Sequence, residues 1–289
     1  MYGEIMSAVA SSYYDCDEIV EFNQIRHGQL NSRIYVTDAT IKAPNTFHDV
    51  LLQVALSQGY GKIIAKIKGS QLLSFLKKGY KIEATVPGYF GTEDAVFISY
   101  FLDKNRECSK LNTQYDAVVS DALKARVWHA GQFNEPVQFR KCNQTDLRAL
   151  SKLYAQVYSN YSSPISNENF IKLSIEQGIQ YYCADYMGIL VGCLRVELDK
   201  DTNNARVYDL GVMSQFQNQG IAPALLNRVK YALQQQNIRY VYTLCLATSL
   251  PINKVFAQQQ YEYGGRLMNN NRIEDEFKSM NLWFCKLDS

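Results

Sequence analysis

The chain has 289 residues, enough for two domains or one large one, and 47% of them are apolar, which permits a sizeable core. Thirty basic residues against twenty-eight acidic ones leave a formal net charge of +2, with no basic block and no interleaving of basic and aromatic residues, so nothing calls for nucleic acid. Seven cysteines (Cys16, Cys108, Cys142, Cys183, Cys193, Cys245, Cys285) stand singly without a C-x-x-C pair; the expectation is a reducing cytoplasm and no metal site.

Residues 1–31 carry little pattern and are read as an N-terminal extension. The opening MYGEIMSAVASSYY has neither the basic start nor the apolar run of a signal peptide, and the longest apolar stretch, 188–194, is far too short for a membrane span. A companion α/β domain is expected over 32–104. Residues 33–36 suit a strand, and 46–57 a helix with Val50, Leu51, Val54 and Ala55 on one face. Ile63, Ala65 and Ile67 alternate as in a strand. A short helix over 71–77 should stop at Gly79-Tyr80, and strands are expected at 81–86 and 95–102.

Residues 105–136 read as a connection: a charged start, a helix over 115–128, and a turn-rich linker at 131–136. The second domain is expected over 137–289. It opens with a strand at 137–142 and a helix capped by Asn143 or Thr145, with Leu147, Leu150, Tyr154, Val157 and Tyr158 in one stripe. After a polar-aromatic loop at 161–165 come a helix at 167–177 and a hairpin turning at Met187-Gly188.

The stretch 205–237 then changes period in its middle. Short apolar residues from Val207 to Met213 suit a buried strand, while Ile221, Ala224, Leu225, Val229, Ala232 and Leu233 recur at helical spacing. Between them lie Gln217, Asn218, Gln219, Gly220, Ile221 and Ala222, a polar glycine turn opening a helix. Backbone N–H groups of such a turn lack internal partners and the helix dipole adds positive charge, which makes an anion cradle. Many strand-to-helix loops contain a glycine for backbone reasons alone, so the setting decides.

That setting is a strand before the turn, a strand at 239–246 after it, a helix that begins near Ser249 and Pro251, and Gln260-Tyr261 at its end. With Gln217, Gly220 and Ala222 at [RQ]-x-x-G-x-[GA] spacing, the stretch resembles the pyrophosphate loop of the GNAT superfamily of acetyl-CoA-dependent N-acetyltransferases. The resemblance covers roughly 137–287 and implies a mixed α/β fold with a central mixed, splayed sheet. The companion domain repeats the strand, helix, Tyr and two strands of the chain's end, which suits a degenerate half-copy of that fold; simple α/β regularity gives the same order. A narrower likeness lies in Tyr263-Gly-Gly-Arg-Leu-Met-Asn-Asn-Asn-Arg-Ile273, Ser279-Met-Asn-Leu-Trp-Phe284, Phe75-Leu-Lys-Lys-Gly-Tyr80 and Pro87-Gly-Tyr-Phe90. These are similar to the beta-lysine N-acetyltransferases, from which the chain departs at Glu274-Asp275-Glu276 and Lys278. The resemblance implies acetyl transfer from acetyl-CoA, with no metal, to the terminal amine of beta-lysine. The product would be a compatible solute, and a lysine 2,3-aminomutase would be the partner enzyme. A polyamine, an aminoglycoside or a protein amine stays open as acceptor, as does a silent acyl-CoA or amino-acid sensor. A homodimer is carried as an expectation.

A lysine-type amine with a pKa near ~10.4 is protonated at neutral pH, and freeing it costs roughly 4 kcal/mol, so the enzyme must supply a proton acceptor. The histidines His27, His48 and His129 all precede the second domain. Asp209, on the central strand, is the first candidate and Glu197 the second; a sheet-edge acid or a solvated face is the bland alternative for each. The backbone of Leu210, Gly211 and Val212 is expected to hold the pantetheine arm, with Asn253 as a further contact. The resemblance puts Phe256 where a tyrosine often protonates the departing thiolate. For the acceptor's carboxylate and polar groups the candidates are Arg195, Asn269, Asn270 and Arg272, with Asn281 beside them and Tyr158, Tyr161 and Tyr181 on the rim.

Overall fold

The computed structural model describes residues 15–37, 41, 43–128, 137–158 and 164–287. The expected linker at 131–136 and Tyr161 lie outside them. In chain order the strands and helices are β1 (Cys16–Val20), β2 (Asn23–Gly28), β3 (Arg33–Val36), α1 (Pro44–Gln58), β4 (Lys62–Lys68), α2 (Leu72–Leu76), β5 (Lys81–Val86), β6 (Ala95–Phe101) and α3 (Asn112–Leu123). They continue with β7 (Val137–Lys141), α4 (Leu147–Val157), α5 (Glu168–Glu176), β8 (Gln180–Tyr186), β9 (Ile189–Asp199), β10 (Asn204–Val212), α6 (Ile221–Gln234), β11 (Tyr240–Leu246), α7 (Leu250–Gln258), β12 (Glu262–Ile273) and β13 (Glu276–Lys286). Packing divides the chain into two compact units, Met1–Asp116 with Gly264–Leu282, and Ala117–Tyr263 with Trp283–Ser289.

The first unit starts with a hairpin that the sequence pattern did not announce. β1 and β2 pair antiparallel through Glu21 and Phe22, both at positive φ (47° and 64°). Such two-residue turns usually carry Asn-Gly, so the segment shows no turn signal to a reader of residues. β3 pairs with β4 in parallel, and β4–β6–β5 continue antiparallel. Phe47, Leu51 and Ala55 recur every fourth residue of α1 and meet Ile34, Ile63, Ile67 and Ile98 from the sheet in one buried cluster. Gly59, at φ 69°, ends α1 by donating to the last-turn carbonyls, a conformation that favours glycine.

The hairpin tip at 264–282, counted from the sequence with the second domain, packs within this first unit. Its backbone is held by buried charge. The Lys62 ammonium, fully buried, donates to the Met268 carbonyl at 2.7 Å and pairs with Glu83 at 2.8 Å, while Glu83 accepts from the Met268 N–H at 2.6 Å. Burial outweighs the Glu83 partner and lowers the Lys62 pKa to about 8. An unfolded lysine keeps its proton to about pH 10.4. Between those values the unfolded chain binds more protons, so stability should rise with pH from about 8 to about 10.4 and be lost again as pH falls through 8. Urea denaturation across that range should show this slope in the wild type and not in Lys62→Met.

In the second unit the sheet order is β11-β10-β9-β8-β7, with β10 and β11 parallel and the other pairs antiparallel. Asn143 and Asp146 form a reciprocal cap on the turn that leads into α4. Ile221, Leu225, Leu226, Val229 and Leu233 give α6 a continuous buried face, and most of it joins Val207, Val241, Phe256, Tyr261 and Trp283 in the core. α3 runs from Asn112 and ends at Leu123, three residues earlier at its start than the pattern suggested and five earlier at its end. Past that end, the Trp128 N–H donates to the Gln258 carbonyl at 3.0 Å, a tertiary bond that competes with helix continuation.

Candidate active site

Three local features of the second unit meet at the C-terminal end of β10. The ladder between β10 and β11 runs only from Asn204 opposite Tyr240 to Val207 opposite Thr243, although β10 continues to Val212 and β11 to Leu246. Beyond that point the two strands part. The Thr243 hydroxyl donates to the Val207 carbonyl at 2.9 Å and closes the fork. Past it the edge of β10 forms no ladder pair with β11 among the described residues; the Leu210 and Val212 carbonyls accept from the Tyr158 and Gln217 side chains, which leaves the remaining main-chain groups of this edge for an extended ligand.

The second feature is a bulge. Register against β9 shifts between Tyr208 and Gly211, and Asp209 takes φ 50°. Asp is one of the few types with a side chain that tolerates this region. At Gly211 an added Cβ would lie 2.6 Å from Val157 Cγ1 and 3.0 Å from Tyr158 Cε2, so the end of α4 rests directly on the bulge. The Tyr158 hydroxyl donates to the Leu210 carbonyl at 2.9 Å.

The third is the turn into α6. Asn218 (φ 61°) and Gly220 (φ 80°) curl the backbone, and Gln217 Nε2 donates back to the Val212 carbonyl at 3.1 Å. The first helical bond is Ala224 N–H to Gly220 O at 3.1 Å, and the amides of residues 218–222 find no hydrogen-bond acceptor among the described residues. No acidic side chain lies in the first turn and no side chain caps it. Free amides, a helix N-terminus and no competing carboxylate suit a diphosphate.

The other expected site residues divide. Asp209 and Arg195 form an ion pair with side chains 4% and 6% exposed, so Arg195 is committed to Asp209 rather than open to a ligand's carboxylate. The Tyr208 hydroxyl donates to Glu197. Asn253 is fully buried: its amide donates to the carbonyls of Leu246 (3.0 Å) and Ser249 (2.7 Å) and accepts from Trp283 Nε1 (2.8 Å). The structure thus gives Asn253 the task of tying α7 to β11 and β13. Phe256 is buried against Tyr261, ring centroids 5.3 Å apart, and burial raises the Tyr261 phenol well above its usual pKa.

Asn269, Asn270 and Arg272 lie on β12, in the part of it that belongs to the first unit. Asn269 Nδ2 donates to the carbonyls of Arg106 (3.1 Å) and Cys108 (2.9 Å), while Arg106 returns a bond to the Asn269 carbonyl at 2.7 Å. Arg33 donates to the Asn270 carbonyl at 2.8 Å, and Arg272 stands 3.7 Å from Asp275. Asn281 is buried and accepts from Arg266 at 2.9 Å. Tyr181 is buried with its hydroxyl 2.8 Å from Ser174 Oγ. Thr243 and Tyr208 were not singled out from sequence; only strand register brings them to the fork and to Glu197.

Residues 147–259, which contain the fork, bulge and turn, match the acetyltransferase (GNAT) family. The chain carries a GNAT N-acetyltransferase domain. Over 270 residues, 93% of this chain and 98% of the relative, it is 27% identical to beta-lysine N(6)-acetyltransferase of Methanococcus maripaludis. It is 26% identical over 230 residues, 72% of this chain and 84% of the relative, to the enzyme of the same name from Methanosarcina mazei. An N-acetyltransferase from Staphylococcus aureus Mu50 superposes with a TM-score of 0.47 at 16% identity, covering 53% of this chain and all of its own. Enzymes of the GNAT family use acetyl-CoA. Among the described residues no helix is long and apolar enough to cross a membrane.

Proposed function

We propose that this GNAT enzyme transfers the acetyl group of acetyl-CoA to the terminal amine of beta-lysine, yielding the compatible solute N-epsilon-acetyl-beta-lysine in the cytoplasm. The observation that carries the coenzyme half is the parted β10 edge running straight into the uncapped turn at 218–222. The acceptor half is supported by the two beta-lysine acetyltransferases that align with most of this chain.

In this reading the amides of Asn218, Gln219, Gly220, Ile221 and Ala222 hold the diphosphate, and the backbone of Leu210, Gly211 and Val212 pairs with the pantetheine arm. Acetyl-CoA supplies an activated acyl group as a thioester. The chain's own work is to align the amine and take its proton, for which Asp209 at the bulge is our first candidate and Glu197, through Tyr208, our second. No metal enters the scheme. The buried side chain of Asn253 takes no part in it.

The test is release of CoA thiol by the purified chain with acetyl-CoA and a panel of amines. Beta-lysine should give the highest kcat/KM. A polyamine, an aminoglycoside or a peptide amine outrunning it would overturn the acceptor and leave the reaction class standing.

A further inference from the structure

Tyr158 ends α4, and its hydroxyl donates to Leu210, the middle residue of the β10 bulge. A bulged segment has lost regular ladder bonding, so its peptide planes turn unless something else holds them. Two holds act here. On one side of Leu210 the Asp209 carboxylate pairs with buried Arg195. On the carbonyl of Leu210 itself the hold is the Tyr158 O–H, at 2.9 Å.

The Leu210–Gly211 peptide is planar and trans, so anchoring its oxygen also sets the direction of the Gly211 N–H. Gly211 lacks the Cβ that would otherwise sit 3.0 Å from the Tyr158 ring and 2.6 Å from Val157. The absent methyl is therefore what lets the helix end come down onto the strand. Tyr154 packs one turn earlier, its ring centroid 6.1 Å from that of Tyr158, and steadies the approach.

We infer that Tyr158 is a positioning residue for the pantetheine arm of an acyl-CoA: through Leu210 it sets the backbone plane of the open β10 edge against which that arm lies. This places Tyr158 with the coenzyme rather than on the acceptor rim. The inference rests on the proposed use of β10 and the 218–222 turn by acetyl-CoA, and it separates the two halves of the coenzyme. The diphosphate end depends on the turn alone; the arm depends on the bulge and so on Tyr158.

The experiment titrates wild type and Tyr158→Phe with CoA and, separately, with 3′-phospho-ADP, which lacks the arm, and records each protein's thermal midpoint without ligand. Phenylalanine keeps the ring and removes one hydrogen bond. The Kd for CoA should rise about fivefold to tenfold, the equivalent of that bond, while the Kd for 3′-phospho-ADP stays within about twofold. Gly211→Ala, which drives a methyl into Val157 and Tyr158, should show the same selective loss. Equal weakening of both ligands, or unchanged CoA binding in Tyr158→Phe, overturns the role of Tyr158. A wild-type protein that binds neither ligand overturns the coenzyme reading, and this inference with it.

Discussion

Gly220→Val should raise the KM for acetyl-CoA by at least about tenfold while the KM for the amine stays near its wild-type value. Gly220 sits at φ 80°, in the left-handed region, and a residue with a Cβ there costs about 1–2 kcal/mol, more for a branched one. The chain can relieve that strain only by rotating the 219–221 backbone. That rotation turns away the amides that have no partner among the described residues and that are proposed to meet the diphosphate. Gly220→Ala should lie between the two, and Gln219→Glu should weaken binding with an added salt dependence, because a carboxylate then faces the anion. Initial rates at varied acetyl-CoA, with the thermal midpoint alongside, check all three. An unchanged KM in Gly220→Val would remove the turn from the coenzyme site.

Asp209→Asn should lower kcat by about 10²-fold or more, the usual contribution of a general base, while any loss of acetyl-CoA affinity from loosening the bulge should be matched by Arg195→Gln, which breaks the same pair. The structure adds a complication that makes the measurement sharper. Asp209 is half of a buried ion pair, and taking away one partner strands the Arg195 guanidinium at a cost of about 3–5 kcal/mol in stability. Arg195→Gln breaks the same pair from the other side and keeps the carboxylate. If Asp209 accepts the amine's proton, the two variants should lose comparable stability, and Asp209→Asn should lose far more turnover per folded molecule. Equal turnover in the two would leave Asp209 a structural partner of Arg195 and pass the role to Glu197, whose carboxylate accepts the Tyr208 hydroxyl.

The turn proposed to meet acetyl-CoA was legible in the residues because it is built from consecutive chain. A glycine at the mouth of a helix, polar residues before it and an apolar strand before those are neighbours in sequence, and backbone chemistry at a helix N-terminus depends little on what lies elsewhere. The acceptor side was read less well for the opposite reason. Arg195, Asn269 and Asn281 looked available as polar side chains for the acceptor, and Asn253 for the pantetheine. In the fold, Arg195 meets Asp209 of a neighbouring strand, Asn253 spans three elements, and Asn269 and Asn281 fasten a hairpin. A buried polar group must find a partner, and which partner is near is a matter of strand register and packing.

By itself, then, the sequence determined what local spacing can encode: the run of strands and helices from about residue 32 onward and the glycine turn at 217–222, to which a resemblance added the family. Tertiary structure alone decided where the β10–β11 ladder stops, that Tyr158 reaches the bulge over Gly211, and that the tip at 264–282 is held by Lys62, Glu83 and Arg106. Periodicity is a property of adjacent residues, whereas a fork in a sheet and a buried ion pair are meetings of residues far apart along the chain. Their energies depend on desolvation and distance, which no spacing in the sequence records.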